Sequence, residues 1–103
     1  MKIKPGANYH DLSDEMKRAC IVAENVFMDY DYLLVLTSGR DGVHKHQSLH
    51  DDGNAGDFRT RQIRDEIRER IAADIRRELG KDFDVILEAD HLHIEFDPKE
   101  KTR

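Results

Sequence analysis

Residues 83–96, FDVILEADHLHIEF, decide the fold of this chain. The apolar, β-prone runs at its two ends predict strands over 83–87 and 91–96, and the Glu-Ala-Asp between them suits a turn. The stretch therefore predicts an antiparallel hairpin close to the end of the sequence.

The second strand of this hairpin carries a His-x-His pair. His91 and His93 lie two residues apart and so point to the same face, while Leu92 and Ile94 point to the other face, towards a core. A lone His-x-His on a strand is more often a surface pair than a pair of metal ligands. A second cluster of candidate ligands is therefore needed before the pair indicates a metal site.

Working outward from the hairpin, apolar residues at spacings of three and four predict helices. Short β-prone runs predict further strands, and a stretch rich in Gly, Asp, His and Asn predicts a long loop of the kind that is usually functional. The predicted elements are a helix over 14–30, a strand over 32–37, a loop from Gly39 to Gly56, a short strand over 55–58 and a helix over 61–79. We expect one α+β domain over 1–103, with two helices packed on a small, mostly antiparallel sheet. Residues 1–12 are expected to be an irregular or extended lead-in, and 97–103 a flexible tail.

The helix boundaries have recognisable signals. Ser13 is a predicted N-cap, and the carboxylates that follow it suit the positive end of a helix. Thr60 is the predicted cap of the second helix, and Gly80 its left-handed stop. The arginines of that helix alternate with acidic residues, which favours an ion-paired, solvated face over an anion-binding stripe.

Composition excludes several classes of protein. The 103 residues contain 17 Lys+Arg and 22 Asp+Glu, a net charge of −5, which argues against bulk binding to nucleic acid or to an anionic membrane. No run of residues is long and apolar enough for a membrane helix or a signal peptide. Cys20 is the single cysteine, so no intrachain disulfide or Cys-based zinc finger is possible; it is expected in the core, with a nucleophile paired with a histidine as the alternative.

The second cluster of candidate functional residues runs from Ser48 to Asp57, SLHDDGNAGD. A His and an Asp in a Gly-rich loop are ordinary turn chemistry when they stand alone. Together with Asp90-His91-Leu92-His93, however, they supply two imidazoles and a carboxylate, which is the three-ligand set of a catalytic Zn²⁺ site with one position left for water. The small residues between His50 and Asp57 let the backbone turn so that both side chains converge.

The two clusters also resemble a known signature. Ser48-x-His50-x-x-Gly53-x-Ala55-x-Asp57 followed by Asp90-His91-x-His93 is similar to the motif of the zinc D-Ala-D-Ala carboxypeptidase family, which shares its zinc-site architecture with hedgehog domains, lysostaphin-type peptidases and vancomycin-resistance dipeptidases. The resemblance covers about residues 32–96. It implies a hedgehog/DD-peptidase-like fold and a peptidoglycan peptide as the substrate.

The resemblance also implies residue roles. His50, Asp57 and His93 match the zinc ligands, and Asp90 matches the general base. His91 matches an auxiliary residue at the metal, and Arg40 the arginine that helps to bind the substrate or the oxyanion. In a regular strand, however, Asp90 points away from His91 and His93, so its role requires an irregular strand start.

Several alternatives stay open. Glu88 is the fallback base if His91 rather than His93 binds the metal. His44 and His46 match nothing in the motif and are expected to be loop residues, with alternate metal ligation as the minority interpretation.

The leading hypothesis is a monomeric zinc peptidase made in the cytoplasm without a signal peptide, acting on the cell wall after phage-type release. Its rivals are a non-catalytic zinc-binding interaction module on the same scaffold, and a plain α+β structural domain with incidental histidines.

Overall fold

The protein is described here from a computed structural model, in which residues 1–39 and 52–98 are described. Within those ranges the chain forms two helices and a five-stranded mixed sheet, so the predicted α+β class is confirmed. The elements in chain order are β1 (Lys2–Ile3), α1 (Asp14–Asp29), β2 (Val35–Ser38), β3 (Ala55–Arg59), α2 (Asp65–Leu79), β4 (Phe83–Leu87) and β5 (His91–Phe96).

The sheet has the strand order β1-β2-β3-β5-β4. The pairs β2–β3, β3–β5 and β4–β5 are antiparallel, but β1 pairs with β2 in parallel, which makes the sheet mixed. The prediction of a mostly antiparallel sheet therefore missed this parallel edge. Two residues inside the expected lead-in form it, too few to produce any period-2 pattern in the sequence.

The hairpin of residues 83–96 forms as predicted, with strands over the same residues. Its second strand, β5, lies between β4 and β3 and is therefore central to the sheet. Leu92 and Ile94 are 1% and 0% exposed and face the helices. Because side chains alternate along a strand, His91 and His93 project from the opposite face of the sheet, as expected.

Helix α1 covers the apolar face of this sheet. It begins after Ser13, whose hydroxyl oxygen accepts a hydrogen bond from the backbone N–H of Met16 at 3.1 Å, so the predicted N-cap is confirmed. Its buried side chains recur at helical spacing and pack with β5 and α2 around one core. They are Met16, Ala19, Cys20, Ala23, Val26 and Phe27.

The predicted start of α2 is wrong. The helix begins at Asp65 rather than at 61, Arg64 occupies the N-cap position, and no side chain caps it. Thr60 lies four residues earlier, where its carbonyl accepts a hydrogen bond from Ile63 N–H at 2.9 Å in a separate turn. That turn buries Ile63, which is 2% exposed. The residues that the sequence pattern assigned to the first helical turn therefore belong to this separate turn and not to the helix. The predicted stop at Gly80 is confirmed, with φ +83°.

The charged face of α2 is ion-paired, as predicted. Arg68 contacts Asp65 at 3.3 Å and Arg77 contacts Asp74 at 2.7 Å. Arg76 uses its guanidinium differently, donating to the carbonyl of Val85 at 3.0 Å and so fastening the helix to β4. These arginines serve the fold, as the solvated-face interpretation expected.

The connection between β2 and β3 is held at both ends by residues 8–13. A Cβ added to Gly39 would lie 2.3 Å from the carbonyl oxygen of Asn8. At the other end, the carbonyl oxygen of Gly53 accepts a hydrogen bond from Ser13 N–H at 2.9 Å, and Gly53 has φ +76°. The lead-in thus positions both ends of the predicted functional loop, whose residues 40–51 lie outside the described residues.

Candidate metal and catalytic site

The site is built on the face of the sheet that the helices leave open. Asp57 on β3 and His93 on β5 are direct cross-strand partners. Their side chains meet, with 2.7 Å between Asp57 Oδ1 and His93 Nδ1, and they are 21% and 18% exposed. Two residues that are 36 positions apart in the sequence are thus brought together by strand pairing.

His93 is held between two carboxylates. Its second ring nitrogen, Nε2, lies 2.8 Å from Oε1 of Glu95, which is on the same strand and the same face. The hydrogen bond to Asp57 and the one to Glu95 outweigh the opposing effect of burial, and together they raise the pKa of His93 to about 9. The imidazole is therefore protonated at neutral pH in the absence of a metal ion, and its environment strongly favours positive charge.

His91 lies beside this pair on the same face. Its Nε2 is 3.8 Å from Asp57 Oδ1, and its Nδ1 is 2.8 Å from Asp90 Oδ1. The hydrogen bond with His91 is the main reason that the pKa of Asp90 lies below its ordinary value. His91, Asp57 and Asp90 are consequently linked in one chain of polar contacts.

Asp90 is not part of β5, which begins at His91. It lies in the turn after β4, and its side chain is 79% exposed. The alternation of a regular strand does not apply to a turn residue, so the irregular strand start that the sequence reasoning required is present. Asp90 and His91 border the same pocket as Asp57.

This pocket has a volume of about 310 Å³ and is open to solvent. Acidic, basic and imidazole side chains all border it, so it offers both hydrogen-bond donors and acceptors to a polar ligand. Its lining is contributed by β2, β3 and β5, together with residues that follow β1 and β3 and precede β5. The lining residues are Lys4, Thr37, Asp57, Arg59, Arg61, Asp90 and His91.

The alternative base, Glu88, lies elsewhere. It is exposed and borders a separate depression that Asp65, Arg68 and Glu69 of α2 also line. Among the described residues, Glu88 does not border the pocket that contains Asp57 and Asp90. The geometry therefore favours Asp90 over Glu88 as the carboxylate that acts beside His91.

The donor set fits a zinc ion as far as the structure describes it. A carboxylate oxygen and an imidazole nitrogen are ordinary Zn²⁺ ligands, and Asp57 and His93 offer one of each on one face. Glu95 on the far nitrogen of His93 matches the carboxylate that usually orients a zinc-bound imidazole. The predicted third ligand, His50, lies outside the described residues, as do Arg40, His44 and His46.

A second acidic group lies on the neighbouring part of the sheet. One carboxylate oxygen from each of Asp84, Glu95 and Asp97 lies within 4.8 Å of the others, close enough to hold a cation. Asp84 and Glu95 are cross-strand partners on β4 and β5. Acidic groups of this kind are common on protein surfaces without an ion, and we assign no site to this one.

Sequence reasoning missed five residues of this region: Lys4, Thr37, Arg59, Arg61 and Glu95. Two of them could have been found from the sequence, because residues two apart on a strand lie on the same face of the sheet. Arg59 is two residues from Asp57 on β3, and Glu95 is two residues from His93 on β5. Lys4 and Arg61 carried no such signal, since each reaches the pocket from outside the strands, in a different part of the chain.

Comparisons with protein-family models and with curated proteins found no match to this chain. The resemblance to zinc carboxypeptidases therefore depends on the motif residues themselves, together with the geometry described above. No helix within residues 1–39 and 52–98 has the length and apolar character needed to cross a membrane.

Proposed function

We propose that this protein is a zinc metallopeptidase that hydrolyses peptide bonds of bacterial peptidoglycan, as a D-Ala-D-Ala carboxypeptidase or an endopeptidase of the phage lytic type. The observation that carries the proposal is the contact of 2.7 Å between Asp57 and His93 on paired strands, beside Asp90 and His91. These are four of the motif residues that such a site requires; the other two, His50 and Arg40, lie outside the described residues. The hedgehog/DD-peptidase-like fold is part of the same proposal, and the arrangement of helices on one side of the sheet and site on the other supports it.

In this proposal His50, Asp57 and His93 hold the ion. A bound Zn²⁺ supplies Lewis acidity and lowers the pKa of water towards ~7. Glu95 orients His93 by accepting a hydrogen bond from Nε2, so that Nδ1 faces Asp57, and these two side chains would hold the ion. Asp57 and His93 are both partly buried, and limited access to solvent strengthens their interaction with a cation.

Asp90 is the proposed general base. Its hydrogen bond with His91 keeps its pKa low, so the carboxylate is ionised at neutral pH and can accept a proton from water. The turn leaves its side chain exposed at the pocket, where it can pass that proton on to the amine that leaves. His91 fixes the orientation of Asp90 and adds a donor near the carbonyl oxygen of the substrate, and Arg40 is assigned to substrate binding on the motif alone.

The test uses the zinc-loaded protein and purified peptidoglycan, with new amino groups as the readout. Asp90→Asn removes the proposed base but keeps the size of the side chain, and we expect a loss of about 100-fold or more in rate. Glu88→Gln is the matched control, because it neutralises a neighbouring exposed carboxylate outside the pocket, and it should retain the wild-type rate.

Three outcomes separate the hypotheses. Equal rates for Asp90→Asn and wild type would show that the assigned base is wrong. If the wild-type protein binds zinc but releases no amino groups from any muropeptide, the protein is the non-catalytic zinc-binding module instead. If zinc is not bound at all, the plain structural domain is favoured.

A further inference from the structure

A cluster of basic side chains borders the pocket on the side away from His93. Lys4 follows β1, Arg59 ends β3 and Arg61 lies in the turn before α2, and all three line the pocket with Asp57 and Asp90. No residue in the motif accounts for them. They converge here although the chain as a whole has a net charge of −5.

Strand geometry fixes the direction of Arg59. It is the cross-strand partner of His91 and stands two residues after Asp57, so its side chain lies on the face that carries the site. At about 3.3 Å per residue, its Cα is about 6.6 Å from that of Asp57, roughly the span of two residues of an extended substrate. A group held by Arg59 therefore lies one or two residues from the reacting bond.

Within residues 1–39 and 52–98, none of the three basic side chains forms an ion pair, whereas Arg64 at the start of α2 and Arg68 and Arg77 on it all do. The charge of Arg61 acts on Asp90 without such a contact and helps to lower the pKa of that carboxyl. The pocket thus holds three cationic side chains against the two carboxylates of Asp57 and Asp90, and both of those carboxylates already contact a histidine. An excess of unpaired positive charge remains on one side of the pocket.

We propose that Lys4, Arg59 and Arg61 form an anion subsite that binds a carboxylate of the substrate peptide and so makes the protein selective for acidic peptides. The inference rests on the proposed function and deepens it. Guanidinium groups suit this ligand because their paired N–H donors match the two oxygens of a carboxylate. In a peptidoglycan stem peptide, the carboxylate is either that of the D-glutamate residue or the one at the C-terminus.

The experiment compares three synthetic stem pentapeptides with the zinc-loaded protein: the native peptide, one with D-isoglutamine in place of D-glutamate, and one amidated at the C-terminus. Two quantities are measured. The first is kcat/KM in protein that keeps Asp90. The second is the dissociation constant of each peptide, measured by calorimetry in protein that carries Asp90→Asn so that the peptide is not cleaved. The variants are Arg59→Gln and Arg61→Gln. Arg18→Gln is the matched control, because Arg18 is an exposed arginine on α1 that does not line the pocket.

We expect each pocket variant to bind the native peptide about tenfold more weakly than wild type does. The value of kcat/KM should fall because KM rises, and Arg18→Gln should have no effect. One of the two amidated peptides lacks the carboxylate that the subsite binds. Wild type should bind this peptide about as weakly as the variants bind the native peptide, and the substitutions should not weaken its binding further. That peptide identifies which carboxylate is recognised. A folding defect is excluded separately, by circular dichroism spectra of the variants that match that of wild type.

In variants whose circular dichroism spectra match that of wild type, equal losses for all three peptides would overturn the subsite, and so would unchanged binding in both pocket variants or no binding of any peptide. Failure of the proposed function looks different. If binding of the native peptide depends on the two arginines but no peptide is cleaved, the result supports the subsite and contradicts the proposed hydrolytic activity.

Discussion

Cys20 is a core residue and not a nucleophile. Its side chain is 2% exposed on the inner face of α1, among the residues that pack against β5. Burial, aided by the nearby Glu24, raises the pKa of its thiol to about 12. A thiol needs to be ionised to attack a substrate, so the core interpretation is the one the structure supports.

The buried thiol leads to a prediction about reactivity. In the folded protein at mildly alkaline pH, Cys20 should not react with a disulfide reagent such as dithionitrobenzoate, whereas the same protein in guanidinium chloride should react fully. The release of thionitrobenzoate, followed by absorbance, measures both. Rapid reaction of the folded protein would contradict the assignment.

The same pKa shift makes stability depend on pH. Above about pH 9 the unfolded chain loses the thiol proton while the folded protein keeps it up to about pH 12, so the free energy of unfolding should fall as pH rises through this window. Cys20→Ala removes the titrating group, and its stability should decline less steeply between these limits. Urea denaturation at a series of pH values measures the two slopes; equal slopes would rule out this contribution.

Thr60 is a polar residue that is buried in the interior of the protein. Within the described residues its hydroxyl has no hydrogen-bond partner. Thr60→Val keeps the shape and removes the unsatisfied group, so we expect the free energy of unfolding to rise by about 1 kcal/mol. A loss of that size in urea denaturation would instead indicate that the hydroxyl has a stabilising role.

At the scale of elements, α1 and α2 differ in how they begin. Ser13 caps α1 through its hydroxyl, whereas α2 has no side-chain cap. Ser13→Ala should therefore lower the free energy of unfolding by about 1 kcal/mol. Arg64→Ala, at the uncapped N-terminus of α2, is the control, and it should change stability by less than the Ser13 substitution.

These helix starts also show what sequence patterns can predict. The start of α1 was predictable because the cap, the first-turn carboxylates and the apolar period all begin together at Ser13. In α2 the periodic isoleucines extend back to Ile63, which is buried by a preceding turn and not by the helix. Periodicity reports which side chains are buried, and it does not distinguish a helical turn from an isolated one.

The segment 8–13 is the element that supports the two ends of the predicted functional loop. Gly53 has φ +76°, and an added Cβ would lie 2.6 Å from the backbone oxygen of Asp11. Gly53→Ala should therefore cost about 2 kcal/mol or more, from backbone strain and from the clash together.

Gly6 provides the matched control for this prediction. It also has positive φ, at +95°, but an added Cβ would meet nothing within 4 Å. Gly6→Ala should cost only about 1 kcal/mol, the price of the strained backbone alone. Equal losses for the two substitutions in urea denaturation would mean that the contact with residues 8–13 contributes nothing.

At the scale of the whole molecule, the site depends on pairings that local sequence does not encode. The hairpin of β4 and β5 is local and was predictable, but β3 pairs with β5 across α2 and brings Asp57 to His93. In the sequence these residues were linked only by the zinc-ligand set that the two clusters could supply together and by the motif resemblance. The basic side of the pocket was only partly predictable: the strand position of Arg59 places it on the same face as Asp57, whereas Lys4 and Arg61 reach the pocket from outside the strands and looked like ordinary surface charges.

A bound metal should stabilise the whole fold, because His93 and Asp57 connect the two central strands. At a free zinc concentration of about 100 times the dissociation constant, binding adds about 2.7 kcal/mol, and we expect the melting temperature to rise by roughly 10–20 °C. Chelation should reverse the change. Magnesium, which prefers all-oxygen sites, should have little effect; an equal rise with magnesium would point to the acidic group of Asp84, Glu95 and Asp97 instead.

The most direct test of the account is the zinc content of the purified protein after equilibrium dialysis, measured by inorganic mass spectrometry. We predict about one zinc per chain for wild type and for His10→Gln, whose imidazole is 96% exposed and does not line the pocket. Asp57→Asn and His93→Gln should retain less than a tenth of that zinc while keeping the circular dichroism spectrum of the fold. Wild-type protein without zinc, or an unchanged zinc content in both site variants, would contradict the metal centre on which the proposed function depends.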